Sequence, residues 1–276
     1  MLSALALTLF LVPQIVGAET VYSVKRGDSL TSIGARFGVA TRVLAEANGL
    51  DAAGHLKTGD TLKIDNRHIV PSFEGSRIVV NIPQRMLFWF KSDDALDAFP
   101  VAAGRRSWKT PMGDFTVVTR ETDPTWDVPI SIQEEMRKQG KPVLTHVPPS
   151  PANPLGKHWI GLSIPGVGVH GTNEPSSIYG LVTHACIRLH PEDIETLFPQ
   201  VAIGMRGKFI YEPVLVTRVG NSVFVEVHED AYGFGADPLS IVMERARTEG
   251  YVDMLNLPLL REVIRRKDGI ARDVTR

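Results

Sequence analysis

A single cysteine, Cys186, stands in this 276-residue chain. His184 precedes it by two positions, Arg188 follows it by two, and His170 lies sixteen positions upstream. A thiol acts as a nucleophile through its thiolate, which needs a nearby base or a positive field. A lone cysteine with histidines elsewhere in the chain is a recognised, though unspecific, pattern for that chemistry. In an extended segment His184, Cys186 and Arg188 fall on the same side. His170 closes the strand-like run VGVH, and Gly171 turns the chain after it. The ends of two neighbouring elements can therefore bring imidazole and sulfur together. Two other readings stay open on these residues. Cys186 can be a small buried hydrophobe, or His170, His184, Cys186 and His190 can offer nitrogen and sulfur to a zinc ion. An arginine beside the ion and a spacing unlike the common zinc patterns count against the metal, and none is expected. The nucleophile accounts for the most residues.

The elements that must hold these groups are mostly strands. IVVNI (78–82), MLFWF (86–90), FPVAA (99–103), FTVV (115–118), HWIGLS (158–163), VGVH (167–170) and GKFIYE (207–212) are rich in β-branched and aromatic residues and are separated by turn residues. A helix is expected from Ile130 to Lys138, and a short one from Pro191, where proline suits the first turn. Beyond residue 212 the pattern changes to a hairpin turning at Gly220-Asn221, then two amphipathic helices, 238–249 and 258–266. That extension (213–276) carries no catalytic constellation and reads as an accessory scaffold or partner surface.

At the other end, residues 1–18 read as an export signal, with an apolar run and a small-residue site at Val16-Gly17-Ala18, although no Lys or Arg precedes the run. Residues 21–64 then read as strand, helix, helix, strand. Asp28 or Ser29 can cap the first helix, Gly38 ends it, Thr41 can cap the second, and Asn48-Gly49 closes that one. Residues 67–75 read as a linker. With 43% apolar and 22% charged residues and a net charge of −1, the chain can bury a core and lacks the broad basic surface of a nucleic-acid binder. One cysteine excludes an internal disulfide framework. No transmembrane span is expected once the signal is removed.

Two stretches resemble known families. Tyr22 to Leu30 (YSVKRGDSL), Ile33 to Val39 (IGARFGV), Ala47 to Leu50 (ANGL) and Gly59 to Ile64 (GDTLKI) resemble a LysM module, placed at 19–66. That family binds N-acetylglucosamine-containing glycans, which implies Gly27, Asp28, Ser29, Leu30, Asn48, Gly49 and Leu50 as candidate contacts. Residues 76–212 resemble a YkuD-type L,D-transpeptidase catalytic domain, on His170-Gly171-Thr172, Thr183-His184-Ala185-Cys186-Ile187-Arg188-Leu189 and Thr110-Pro111-Met112-Gly113-Asp114-Phe115. Asp123-Pro124-Thr125-Trp126 and Asn153-Pro154-Leu155-Gly156 are similar to the LysM-bearing Gram-negative members.

The resemblance implies a mainly β fold: a sandwich-like or barrel-like catalytic domain after a small βααβ module, with an α/β extension. It implies an exported, periplasmic, wall-associated enzyme without a cofactor, acting on peptidoglycan strands and stem peptides. Cys186 would attack the third stem residue, diaminopimelate, and release D-Ala. The acyl group would pass to another stem, an outer-membrane lipoprotein lysine, a D-amino acid or water. His170 would be the base, oriented by the Gly171 carbonyl. Ala185 and Cys186 would frame the oxyanion site, while Thr183, His184 and Arg188 shape the pocket. The family pattern has Ser at 183, a mild change, and Gly at 185, where a left-handed backbone would strain alanine.

Overall fold

A computed structural model describes residues 14–72, 75–92 and 95–276. The first unit pairs β2 (Glu19–Ser23) with β3 (Thr61–Asp65), and helices α1 (Leu30–Phe37) and α2 (Thr41–Ala47) lie between them in sequence. Ser29 caps α1: its hydroxyl accepts from the Ser32 N–H at 3.1 Å, and the Ser32 hydroxyl accepts from the Ser29 N–H at 2.9 Å. Gly38 ends α1 at φ 70°. Thr41 is already helical, and Ala40 occupies the cap without a side-chain bond.

One expectation at this end is revised, at residues 68–69. Residues 1–13 of the expected export signal lie outside the described residues, but Ile15–Val16 form β1, antiparallel to β4 (His68–Ile69). Residues 68–69 are therefore no free linker. Both are buried, and the Ile69 N–H and the His68 ring bond to Glu226, far along the chain. A charged acceptor inside the protein draws a short polar segment into the core.

The central domain is a sheet that closes on itself. Its order is β7 (Leu96–Gly104), β14 (Ile187–Leu189), β12 (Gly168–His170), β11 (His158–Leu162), β8 (Gly113–Thr122), β15 (Arg206–Ile210), β5 (Ile78–Asn81), β6 (Met86–Phe90) and back to β7, with β13 (Leu181–Thr183) added alongside β7. One long strand closes the ring because its first half pairs with β6 and its second half with β14, the exchange falling at Pro100-Val101. Alternating side chains fill the interior: Val80, Leu87, Phe99, Val101, Phe115, Ile160, Val169, Ile187, Leu189 and Phe209. In β6 the outward set, Met86, Phe88 and Phe90, is also buried, in a second cluster with Tyr179, which explains its unbroken apolar run.

Between β8 and β11 the chain forms a two-stranded ribbon, β9 (Trp126–Asp127) with β10 (His146–Val147), carrying α3 (Ile130–Lys138). Helix α4 (Pro191–Leu197) follows β14 and buries Ile194 and Leu197 against the barrel. The C-terminal unit is a sheet of β16 (Val214–Val219), β17 (Ser222–Val227) and β18 (Arg272–Asp273), covered by α5 (Pro238–Glu249) and α6 (Leu257–Arg266). It has a core of its own around Val223, Val225, Val242, Tyr251 and Leu260. It also touches the N-terminal unit: Ile270 joins that unit's core, and the Ala271 N–H donates to the Arg67 carbonyl at 2.9 Å. No helix among the described residues is long and apolar enough to cross a membrane.

Candidate active site

Parallel pairing of β12 with β14 places the site. Val169 pairs with Ile187 and His170 with Arg188. Val169, Ile187 and Leu189 point into the barrel, so alternation turns Gly168, His170, Cys186 and Arg188 onto its outer face. Strands lie about 4.8 Å apart with a rise of about 3.3 Å per residue, so Cys186 and His170 sit on a diagonal of about 8 Å between Cα atoms. An imidazole and a thiol span such a gap. Glycine is required at 168 because the Trp159 ring lies over it; a Cβ there would fall 2.3 Å from that ring. The same ring stacks on His170 with centroids 5.7 Å apart.

The His170 tautomer follows from its partner. Nδ1 lies 2.7 Å from the Gly171 carbonyl, which can only accept, so Nδ1 carries the proton and Nε2 keeps its lone pair. Gly171 is itself backed by Gly156, where a Cβ would come within 3.1 Å of it. The Asn153 side chain holds that turn, accepting from the Leu155 N–H at 2.9 Å and donating to the Pro124 carbonyl at 2.9 Å. The DPTW and NPLG segments thus support the His-Gly pair from behind.

Burial, reinforced by the Arg188 charge, pushes the His170 imidazole down to about 3, against the smaller pull of Gly171. Burial also pushes the Cys186 thiol above its ordinary value, while the Gly168 N–H and the Arg188 charge oppose it. Both groups therefore rest neutral, with the thiol sulfur 3.6 Å from the Gly166 carbonyl and His170 Nε2 left as an acceptor. Arg188 is held by Ser177 at 3.3 Å and Glu174 at 3.6 Å. Ala185 adopts φ 81°, the left-handed conformation in which a Cβ costs about 1 kcal/mol. Thr183 donates from its hydroxyl to the Cys186 carbonyl at 2.6 Å, which serine would equally do.

His184 turns away toward α3. Its Nε2 lies 2.6 Å from a Glu135 carboxylate oxygen that also accepts from Arg105 at 2.5 Å, and its ring meets Trp108 edge-on at 5.1 Å. These contacts hold Glu135 down to about 2, the His184 hydrogen bond first and Arg105 second. Glu135, Arg105 and Trp108 carried no signal in the sequence, since only the fold brings α3 beside residue 184. His190 faces the Ala35 carbonyl of α1. The four residues of the zinc reading are thus not gathered around one point. Among the described residues the one group with metal-ligating proximity is elsewhere: His68, Glu226 and His228. There Glu226 already accepts from His68 at 2.8 Å, His228 at 2.7 Å, the Ile69 N–H at 2.5 Å and Gln84 at 3.1 Å. A carboxylate with four internal donors serves as a structural anchor.

The family described as the L,D-transpeptidase catalytic domain (YkuD) matches residues 75–219, more than half of the chain, and the LysM domain matches 22–65. This chain belongs to the YkuD L,D-transpeptidase family. The L,D-transpeptidase match holds the Cys186 strand, the His170 strand and the ribbon behind them. The chain is 32% identical to the probable L,D-transpeptidase YbiS of Escherichia coli (strain K12) over 223 residues, covering 78% of this chain and 72% of that protein. It is 30% identical to the probable L,D-transpeptidase ErfK/SrfK of Salmonella typhimurium (strain LT2) over 263 residues, covering 92% of this chain and 81% of that one. Among solved structures, L,D-transpeptidase 3 from Mycobacterium tuberculosis aligns at 17% identity and a TM-score of 0.37, over 56% of this chain and 76% of that one.

In the LysM module the candidate glycan contacts divide. Leu30 is 2% exposed and packs in the module's core, so its side chain is structural rather than a glycan contact. Asp28 accepts from the Tyr22 hydroxyl at 2.7 Å and the Lys25 N–H at 2.8 Å; Asn48 ties the Leu44 carbonyl to both backbone groups of Lys63. Those two side chains hold loops. Gly27, Ser29, Gly49 and Leu50 lie at the surface.

Proposed function

We propose that this protein is an exported peptidoglycan L,D-transpeptidase in which Cys186 carries the acyl group. The observation that supports it best is the shared outward face of Cys186, His170 and Arg188, with His170 Nδ1 bonded to the Gly171 carbonyl. His170 Nε2 takes the thiol proton as sulfur attacks the carbonyl of the third stem residue, diaminopimelate. The developing oxyanion is held by backbone N–H groups at Ala185 and Cys186. The carbon–nitrogen bond to D-Ala breaks, the imidazolium protonates the leaving amine, and a thioester remains. An acceptor amine then attacks the thioester, a new amide forms, and the thiol is regenerated. That acceptor is a second stem peptide (a 3–3 cross-link), an outer-membrane lipoprotein lysine or a D-amino acid. With water in its place the protein would act as an L,D-carboxypeptidase or peptidoglycan hydrolase, and without a reactive thiol it would be a catalytically inactive wall-binding protein. The LysM module supports a periplasmic, wall-bound setting on glycan strands, through Gly27, Ser29, Gly49 and Leu50.

Intact mass of the protein incubated with a carbapenem tests the nucleophile. A stoichiometric adduct is expected on the natural chain and none on Cys186→Ala; an unmodified natural chain would refute the assignment. Disaccharide-tetrapeptide with each acceptor then separates dimers, exchanged tetrapeptides and plain tripeptides.

A further inference from the structure

Ala185 poses a physical problem. It precedes the nucleophile at φ 81°, where a β-carbon is unfavourable. Something must hold the turn. The Ala185 carbonyl accepts from the Thr110 hydroxyl at 2.8 Å, and that hydroxyl accepts from the Gly104 N–H at 3.0 Å. The Thr110 N–H donates to the Tyr232 phenol oxygen at 3.1 Å, and the Tyr232 hydroxyl donates to the Gly104 carbonyl at 2.7 Å. Thr110 and Tyr232 are 1% and 2% exposed, so water does not compete for these bonds.

Tyr232 comes from outside the family-matched segment, on the loop after β17. That loop is firmly seated. The Tyr232 N–H donates to the Tyr211 hydroxyl at 2.7 Å, its ring stacks on Tyr211 at 5.3 Å, and its carbonyl accepts from Lys109 at 3.0 Å. Tyr211 in turn donates to Asp230 at 2.7 Å, and Asp230 accepts from the N–H groups of Gly233, Phe234 and Gly235. A rigid loop therefore clamps the 104–110 turn, and through Thr110 the carbonyl beside the nucleophile.

We propose that Tyr232 of the C-terminal extension is a positioning residue that, through Thr110, holds Ala185 in its left-handed conformation beside Cys186. The oxyanion-binding turn of this chain is then completed by the extension rather than by the catalytic domain alone, and the link offsets the alanine that stands where the family pattern has glycine. This rests on the Cys186 acyl-enzyme reading.

The test is a double-mutant cycle on the full chain, read as the rate of carbapenem acylation by intact mass: natural, Tyr232→Phe, Ala185→Gly and both. Phenylalanine keeps the ring and removes only the hydroxyl. Tyr232→Phe is expected to slow acylation by about tenfold, equivalent to about 1.4 kcal/mol. Against the Ala185→Gly background the same change should cost under about twofold, because glycine adopts the turn without the clamp. An equal loss in both backgrounds overturns the proposal, since a general structural defect is not relieved by glycine at one remote φ. A Tyr232→Phe rate equal to that of the natural chain overturns it too. If Tyr232→Phe does not fold, Thr110→Val cuts the same link at its other end and enters the same cycle. An unacylated natural chain would instead refute the nucleophile assignment.

Discussion

Two histidine clusters in this protein use similar groups to opposite ends. At the outer face of β12 and β14, His170 spends one ring nitrogen on the Gly171 carbonyl and keeps the other as an acceptor on the face it shares with Cys186. In the interior, His68 and His228 both turn a ring nitrogen to Glu226, which also accepts from Ile69 and Gln84. Neighbours decide the difference. A backbone carbonyl orients an imidazole without charging it, and burial then keeps the ring neutral. A carboxylate stabilises whatever donates to it, so the interior group joins the β1–β4 ribbon, the barrel residue Gln84 and the C-terminal sheet. The barrel face leaves chemistry open, whereas the interior cluster closes it.

Substitution at the first cluster should give the largest effect. His170→Ala removes the proton acceptor and is expected to slow acylation by about 10²- to 10⁴-fold. His184→Ala should cost far less, because that ring is engaged by Glu135 and Arg105. A ranking with His184 the more damaging would overturn His170 as the base. Measured carbapenem acylation rates for the two variants decide it.

At the interior cluster the expected effect is on stability. Glu226→Ala strands four buried donors and should destabilise the fold by about 3–5 kcal/mol, seen as a lower urea midpoint. The acylation rate of the protein that remains folded should stay unchanged. A loss of rate larger than the loss of folded protein would show that the two clusters are coupled.

Acid sharpens the comparison at a smaller scale. Burial alone would raise the Glu226 carboxyl, but the charge and hydrogen bonds of His68 and His228 outweigh it and hold the group down to about 2. Burial lowers His228 below its ordinary 6.5, against the pull of Glu226. In both cases the unfolded chain binds the proton more readily, so stability rises with pH. The His228 contribution is present above about 6.5 and fades as pH falls below it; the Glu226 contribution fades from its ordinary 4.5 toward 2. Urea unfolding at pH 7, 5.5 and 4 should show a progressive loss, and Glu226→Gln should flatten the part below 4.5. A profile that is level or rises on acidification would contradict the assignment.

Local signals were legible wherever neighbours along the chain supply the reason. Ser29 before an amphipathic run, Gly38 after it, the Gly220-Asn221 hairpin and the alternation in β11 and β12 all carry their explanation within a few residues. The common face of His170 and Cys186 follows from strand alternation once β12 and β14 are paired. The burial of His68 and Ile69 was not legible because their acceptor, Glu226, lies more than 150 positions away. Leu30 was a candidate contact only through the LysM resemblance; its helical spacing with Ile33 agrees with the core position it takes. The extension carried no signal because Tyr232 belongs to no motif and its partners, Thr110 and Gly104, lie far back along the chain.

Sequence by itself determined the order of elements, the candidates for nucleophile and base, and the alanine beside them. Each rests on residue chemistry, on periods of two and 3.6, or on the resemblance to a known family, all of which a chain segment carries with it. Tertiary structure alone decided which histidine shares a strand pair with Cys186, which one Glu135 engages, and that a tyrosine from another unit bonds to the turn behind a left-handed alanine. Those outcomes depend on burial and on donors brought together by barrel closure, and neither is written into any single stretch of the chain.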